Sequence, residues 1–176
     1  SNPEIKVGII KLPSISNFSD FDPLDNEESL LIEWVRESQN LNKYDFIILP
    51  GSKQTIKDQI FLENSGLSQE IREYSNSHGN IIGICGGLQM LGTSLEDPYS
   101  KEGPKIYSQQ KTKGIGLLPL KTTFFEKKLT RQINSESLWP CQSKISGFEI
   151  HNGQTELDNS HDSLKINPIF KDLNLG

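Results

Sequence analysis

The chain has 176 residues, of which 34% are hydrophobic, and a formal net charge of -5 at pH 7. This length suffices for one domain with a sizeable core. The negative charge and the lack of a Lys/Arg cluster argue against a nucleic-acid partner or an anionic membrane surface. No apolar stretch approaches the roughly 20 residues that cross a bilayer. The first residues do not resemble a secretory signal, so we expect a cytoplasmic location.

The two cysteines, Cys85 and Cys141, stand in different contexts. Cys85 follows an apolar run, whereas Cys141 lies in the polar stretch SLWPCQSK. A domain of this size does not need a disulfide, and cytosolic thiols are usually reduced. The cysteines and the three histidines form no CxxC or HxxxH pattern, so we expect no metal site.

The first part of the chain alternates apolar runs with polar loops. Residues 5–12 predict a strand, and residues 13–24, rich in Ser, Asp and Pro, predict an irregular loop. Residues 28–38 carry apolar residues at mixed spacing and fit either a short strand or a helical turn. The run YDFIILPGS at 44–52 predicts a buried strand that ends at Pro-Gly.

Two helices and a further strand are predicted next. The spacing of apolar residues predicts helices over 55–65 and 68–77. Residues 79–85 predict another buried strand. A helix over 87–95 is predicted to follow directly, with its N-terminus at Cys85.

The remaining segments are less regular in sequence. Residues 114–125 and 146–157 are strand-like, and the polar, helix-breaking segment 130–144 between them predicts a surface excursion. Strands that alternate with helices predict a three-layer α/β fold of the flavodoxin-like type, in which a mainly parallel sheet carries helices on both faces. We interpret residues 1–176 as a single domain.

Two turns at strand ends stand out as a candidate site. In parallel sheets, ligands bind at the edge where the strands end, so the turns LPGS and GICGG are expected on opposite sides of one pocket. Glycines two before and two after Cys85 match a nucleophile elbow, whose sharp turn leaves no room for neighbouring Cβ atoms. The alternative is a buried structural thiol; the flanking glycines favour the nucleophile.

A nucleophilic Cys85 would need donors for the oxyanion that forms on attack. The N–H of Gly86, directly after it, is one candidate, and the N–H of Gly51 or Ser52 on the opposing turn is the second. A helix N-terminus next to the sulfur is expected to lower the pKa of the Cys85 thiol.

The stretch GICGGLQMLG resembles the nucleophile motif G-x-C-x-G-x-Q of the class I, triad-type glutamine amidotransferases. More narrowly, several blocks resemble the amidotransferase domains of the cobyric acid synthase family. They run in order from Ile5 to Thr155, so the resemblance covers nearly the whole chain. The blocks are KLPSISNFSDFDPL, LPGSKQTIKD, GICGGLQMLGTSLEDPYSKEG, KGIGLLPLKTTF and SGFEIHNGQT.

This resemblance implies a class I glutamine amidotransferase-like fold, in which Cys85 attacks the side-chain amide of glutamine and forms a thioester. Gln89 would help to position the bound glutamine. Ammonia would pass to a synthetase domain, absent from this sequence, that uses ATP and Mg²⁺ to amidate corrinoid carboxylates in cobalamin biosynthesis (adenosylcobyrinic acid a,c-diamide to adenosylcobyric acid). The sequence contains no G-x-x-x-x-G-K-[ST] loop, so no cofactor is expected in this chain itself. The SNFSDFDPL block is expected to meet the synthetase domain.

The family's catalytic histidine lies in a GTYLHG-type block, which this sequence does not contain. The resemblance therefore places the partner histidine beyond residue 176, and it predicts a domain truncated at its C-terminus with weak or no glutaminase activity alone. His151 matches a different block and is predicted to line or brace the pocket. His78 and His161 are predicted to be loop residues.

Other functions stay open at this point. A related amidotransferase with another acceptor, such as cobyrinate a,c-diamide formation or a cell-wall precursor, would share most of the motifs. A catalytically silent module that docks a partner would keep the fold without the missing histidine block. A stand-alone cysteine hydrolase or chaperone is disfavoured by Gln89 and the LPGSKQT turn.

Overall fold

The first half of the chain builds a four-stranded parallel sheet. The computed structural model describes residues 5–102, 111–158 and 167–171. The strand order is β2-β1-β3-β4, and all neighbouring pairs run parallel. The strands are Ile5–Ile10 (β1), Leu30–Val35 (β2), Phe46–Leu49 (β3) and Asn80–Gly83 (β4).

The central strands of this sheet are covered on both faces. Ile9 and Ile10 are both 0% exposed, although consecutive residues of a strand point to opposite faces. Continuous apolar runs of this kind are typical of parallel strands inside α/β proteins. The α/β fold class and the strands predicted within 5–12, 44–52 and 79–85 are therefore confirmed. The strand within 79–85 is not buried as predicted, because it lies at the edge of the sheet and leaves Ile82 41% exposed.

Strand β2 resolves the ambiguity of residues 28–38. It pairs with β1 in the register Ile5↔Leu30 to Ile10↔Val35, so the segment is a strand and not a helical turn. Trp34 of β2 packs against Phe18 and Phe21, with ring centroids 5.2 and 5.5 Å apart. The mixed spacing of apolar residues suits an edge strand. One edge of β2 pairs with β1, and the loop that precedes β2 packs on its Trp34 side chain.

Two ten-residue helices connect β3 to β4. They are Thr55–Asn64 (α2) and Leu67–Asn76 (α3), which confirms both helices predicted from spacing. Gly66 between them has φ 83°, a conformation that glycine adopts without strain. The loop predicted at 13–24 contains more structure than expected, namely a 3-10 turn at Phe18–Phe21 and one helical turn at Asp22–Asp25 (α1).

The helix after Cys85 is much shorter than predicted. It spans Gly86–Met90 (α4) and not 87–95, because the chain leaves it to join a second sheet. The N–H of Thr93 donates to the carbonyl of Leu120 at 2.7 Å, and Leu95 is fully buried. Long-range pairing therefore ends this helix.

The second sheet was not predicted from the sequence. Its order is β6-β5-β7-β8, with β5 and β7 parallel and the other pairs antiparallel. Its strands are Ser94–Glu96 (β5), Thr112–Lys113 (β6), Leu120–Ser137 (β7) and Ser143–Leu157 (β8).

The strand expected at 114–125 begins only at Leu120. The residues before it donate to the end of α4: the N–H of Ile115 to Met90 O at 2.8 Å, and that of Leu117 to Leu91 O at 2.9 Å. The last carbonyls of a helix have no partner within the helix. This segment supplies those donors and therefore cannot join a strand ladder.

Strands β7 and β8 form a long hairpin whose outer half is exposed. The segment 130–144 lies at the surface as predicted, but most of it is regular strand paired from Leu129↔His151 to Ser137↔Ser143, which was not expected. A register shift separates this outer half from the inner half between Phe124 and Leu129. Across the described residues, no helix is long and apolar enough to cross a membrane.

Candidate active site

The turns after β3 and β4 lie side by side at the carboxyl edge of the parallel sheet. Leu49 and Gly83 are register partners at the ends of these strands. A Cβ built on Gly86 would lie 3.0 Å from the amide nitrogen of Ser52, and one on Gly51 would lie 3.8 Å from the Cβ of Cys85. The structure thus brings together the two turns that the sequence singled out.

Cys85 stands on a strained backbone between β4 and α4. Its φ of 50° and ψ of -112° are rare for a residue with a side chain, and such strain concentrates at functional sites. A Cβ on Gly87 would collide with the carbonyl oxygen of Leu49, so only glycine fits there. Cys85 is exposed, as expected of a residue raised on an elbow turn.

The Gly51–Ser52 turn is itself held by an earlier loop. The N–H of Ser16 donates to Gly51 O at 2.9 Å, and the N–H of Lys53 donates to Ser14 O at 2.8 Å. These two bonds flank the antiparallel pair Ile15↔Ser52. In such a pair the N–H of the central residue points away from the partner segment. The amide of Ser52 therefore faces the side on which Gly86 lies.

Burial raises the pKa of the Cys85 thiol, although the residue is exposed at the surface, because protein crowds the sulfur. The N–H of Gly86 donates to the sulfur and opposes this shift; the charge of Glu102 adds to it, and that of Lys128 opposes it. The expectation of a lowered pKa is wrong. Desolvation of the sulfur is the largest of these contributions and sets the direction of the shift.

Gln89 follows Cys85 by one helical turn and is only 8% exposed. Its N–H donates to the carbonyl of Cys85 at 3.1 Å. A Cβ on Gly153 would lie 2.7 Å from Nε2 of Gln89, so the side chain reaches strand β8. Gln89 thus lies between the elbow and the second sheet.

Comparison with known proteins identifies the family. The family model of the CobB/CobQ-like glutamine amidotransferase domain matches residues 6–171. The chain belongs to this family. The amidotransferase domain is similar over its whole length to longer proteins. It is 83% identical over 176 residues to a cobyric acid synthase of Prochlorococcus marinus strain MIT 9312, covering 100% of the chain and 35% of that relative.

A second relative, the cobyric acid synthase of strain NATL2A, is 49% identical over 173 residues, which cover 98% of the chain and 34% of the relative. The amidotransferase domain thus spans about a third of the length of the curated relatives that it matches.

Solved structures support the fold. The structure of PurLQS from Thermotoga maritima matches with a TM-score of 0.65 at 16% identity, covering 97% of this chain and 77% of that one. A glutamine amidotransferase of the same organism matches with a TM-score of 0.57 at 14% identity, covering 89% of this chain and 64% of that one. Both indicate an amidotransferase-like fold.

His151 lies on β8 and contacts other residues of the hairpin. Its Nε2 is 2.6 Å from Oε1 of Glu149, and its Nδ1 is 2.5 Å from the carbonyl oxygen of Gly153. Arg131 also binds Glu149. Gly153 in turn lies against Gln89. His151 therefore braces the part of the hairpin next to Gln89; His161 lies outside the described residues.

Sequence reasoning missed two buried acids beside the elbow. Glu102 accepts the N–H of Thr55 at 3.1 Å, so a carboxylate caps the start of α2. The Oγ of Thr55 would lie 3.0 Å from a Cβ on Gly86, which places this cap next to the elbow. The second acid is Asp58, which binds Ser52. Both stand in blocks that carry the family resemblance, but the spacing of residues does not predict their partners; Glu102 and Thr55, for example, are 47 residues apart.

No group of three or more His, Cys, Asp or Glu residues that could hold a metal ion occurs within 5–102, 111–158 and 167–171. Cys85 and Cys141 are both free thiols. Cys141 lies in the turn between β7 and β8, where its carbonyl accepts the hydroxyl of Ser137 at 2.7 Å. The chemistry of this site thus centres on one sulfur and the backbone amides around it.

Proposed function

We propose that this amidotransferase domain is the glutaminase part of a longer cobyric acid synthase. It hydrolyses glutamine at Cys85 and supplies the ammonia for an amidation carried out by the rest of the protein. The observation that carries the proposal is the strained elbow at Cys85, with the N–H of Gly86 at its sulfur and the amide of Ser52 beside it.

In the proposed reaction, the sulfur of Cys85 attacks the side-chain carbonyl carbon of glutamine. A C–S bond forms, and the carbonyl oxygen takes up negative charge. The amides of Gly86 and Ser52 donate to that oxygen, with Gly51 forming the turn on which Ser52 stands. Collapse of this intermediate breaks the C–N bond, and ammonia leaves with the proton that came from the thiol. Water then cleaves the thioester, which releases glutamate and restores the thiol.

The raised pKa of the Cys85 thiol means that the sulfur is protonated at rest at neutral pH. A base must accept that proton as glutamine is attacked, and return it to the leaving nitrogen. We assign this role to a histidine beyond residue 176, because His151 already contacts Glu149 and Gly153 through its two ring nitrogens.

Gln89 is placed to shape the pocket for the glutamine substrate. It projects from α4 one turn after Cys85 and is packed against Gly153 of the second sheet. We propose that its amide orients the substrate, and that His151 holds the neighbouring backbone through Glu149 and Gly153. The pocket would then have walls from both sheets.

The acceptor is proposed from the relatives. Cobyric acid synthases up to 83% identical to this chain support a corrinoid carboxylate as the group that receives ammonia, in cobalamin biosynthesis. Activation of that carboxylate needs ATP and Mg²⁺, which we assign to a synthetase domain outside this sequence. The loop with Phe18, whose ring is exposed beside Trp34, is the proposed contact with that domain.

The test uses the intact gene product that contains this chain, with matched variants of its two thiols. A glutamine-mimicking electrophile should label Cys85 and leave Cys141 unmodified, as read by mass spectrometry. Cys85→Ser should lose glutamine-dependent synthesis and keep ammonia-dependent synthesis with a corrinoid a,c-diamide acceptor. Cys141→Ser should keep both activities.

Absence of label on Cys85, or glutamine-dependent turnover that survives Cys85→Ser, would contradict the glutaminase assignment. Glutamine hydrolysis without amidation of any corrinoid would leave the hydrolysis standing and contradict the acceptor. A silent docking module predicts neither label nor hydrolysis in the wild-type protein.

A further inference from the structure

Asp58 is a fully buried carboxylate in the first turn of α2. It is 0% exposed, and it is not needed to cap the helix, because Glu102 accepts the N–H of Thr55. A buried carboxylate is unfavourable unless hydrogen bonds satisfy it. Asp58 accepts the hydroxyl of Ser52 at 2.6 Å and the N–H of Ser14 at 3.2 Å. Both donors belong to the segments that pair beside Cys85.

The two bonds to Asp58 fix both members of that pair. Ser14 and Ser52 belong to segments already joined by the bonds between Ser16 and Gly51 and between Lys53 and Ser14. The hydroxyl of Ser52 also accepts the N–H of Gln54 at 3.0 Å, so its donor proton is directed to Asp58. The side chain of Ser52 therefore has one orientation, which sets the direction of its own amide.

We propose that Asp58 is a positioning residue for the oxyanion site. It holds the amide of Ser52 toward Gly86 without touching the thiol or the substrate. This proposal rests on the proposed function, since it needs Ser52 to be an oxyanion donor. Such donors work only at hydrogen-bond distance from the developing charge, so a small displacement of the turn lowers the reaction rate.

Asparagine is the informative replacement at this position. Asp58 accepts the hydroxyl of Ser52 on Oδ2 at 2.6 Å, and the N–H of Ser14 lies 3.2 Å from Oδ1 and 3.3 Å from Oδ2. An asparagine amide would replace one of these two acceptor oxygens with an NH₂ group that can only donate. Asp58→Asn keeps the shape and volume of the side chain, but it cannot accept from both partners in the same way. We therefore expect this variant to keep the fold and to weaken the hydrogen bonds that hold the turn.

The test measures two reactions of Cys85 in the intact gene product. Glutamine hydrolysis passes through an oxyanion, whereas alkylation by iodoacetamide displaces iodide and forms none. For Asp58→Asn we expect kcat for glutamine hydrolysis to fall about tenfold, with KM and the alkylation rate within about twofold of wild type. Asp45→Asn is the matched control, because Asp45 accepts the N–H of Lys6 at 2.7 Å beside the opposite end of β3. Asp45→Asn should leave kcat, KM and the alkylation rate unchanged.

Each result decides the question. If the wild-type protein hydrolyses no glutamine, the proposed function fails and the positioning role falls with it. If the wild type is active and Asp58→Asn matches it in kcat, only the positioning role is overturned. A parallel loss of alkylation and hydrolysis also overturns it, because that marks a purely structural residue. If Asp58→Asn does not fold, Ser52→Ala replaces it in the test, because this variant removes only the hydroxyl that donates to Asp58. We expect Ser52→Ala to lower kcat about threefold. An unchanged kcat would overturn the proposal.

Discussion

Gly87→Ala should loosen the attachment of α4 to the end of β3. An added methyl group would collide with the carbonyl oxygen of Leu49, and it would lie 2.6 Å from the carbonyl carbon of Leu49 and 2.8 Å from the oxygen of Pro50. Ordinary contact begins at 3.4 Å, so clearing the oxygen of Leu49 requires a backbone movement of about 1.5 Å. All of these obstacles are main-chain atoms, which cannot turn aside as a flexible side chain does.

The size of the effect follows from two opposing contributions. Overpacking of this kind costs about 3 kcal/mol at the upper end of its usual range. The better helix propensity of alanine offsets about 1 kcal/mol of this cost. We therefore expect Gly87→Ala to lower the free energy of unfolding by about 2 kcal/mol. With an m-value of roughly 2 kcal/mol/M for a chain of this size, the urea midpoint should fall by about 1 M.

Urea unfolding followed by tryptophan fluorescence measures this shift. Gly147→Ala is the matched control, since a Cβ there meets nothing within 4 Å and the residue does not have a positive φ. Its midpoint should stay at the wild-type value or rise slightly, because alanine reduces the entropy of the unfolded chain. Equal midpoints for Gly87→Ala and wild type would refute the reasoning that α4 packs directly on the backbone of β3.

Two further predictions concern titration. Burial raises the pKa of the Cys85 thiol, so its alkylation rate should reach half its maximum at a higher pH than that of free cysteine. Glu102→Gln should lower this midpoint pH, and Lys128→Ala should raise it. A midpoint pH below that of free cysteine would contradict the raised pKa. Burial raises the pKa of Glu149, but its hydrogen bonds with His151 and Arg131 outweigh this and lower it overall. The resulting stabilisation is present above the unfolded pKa of about 4.3 and is lost as pH falls through the folded pKa. Urea unfolding should therefore show that Glu149→Gln destabilises the protein at pH 6, but not at a pH below the folded pKa of Glu149. An equal loss of stability at both pH values would contradict the lowered pKa of Glu149.

The sequence predicted best where local pattern and tertiary role coincide. The run within 44–52 is apolar because β3 is buried on both faces, and the rule that ligands bind at the carboxyl edge correctly brought Gly51 and Cys85 together. The run within 79–85 also forms a strand, but it lies at the edge of the sheet, where Ile82 and Ile84 are each 41% exposed. The second sheet could not be predicted in this way. Strand β5 has three residues, and only its pairing with β7 distinguishes it from a continuation of α4.

The electrostatics of the site could not be predicted from patterns in the sequence. The pKa of Cys85 depends on how much protein surrounds the sulfur and on the charges of Glu102 and Lys128, and the spacing of GICGG gives neither. Asp58 and Glu102 act through contacts between distant segments. Both lie in blocks that carry the family resemblance, but only the folded chain shows which groups they bind.

The five residues of α4 border strands of both sheets, and this has a consequence for how substitutions combine. A side chain added at Gly83 would press on Leu88 and Leu91 from the parallel sheet, and one added at Gly153 would press on Gln89 from the second sheet. Effects at separate sites usually add, whereas sites that share a partner interact. Gly83 and Gly153 are in different sheets, yet a double-mutant cycle between them should give a coupling energy, because both displace the same short helix. We therefore expect the segment after Cys85 to couple the stabilities of the two sheets.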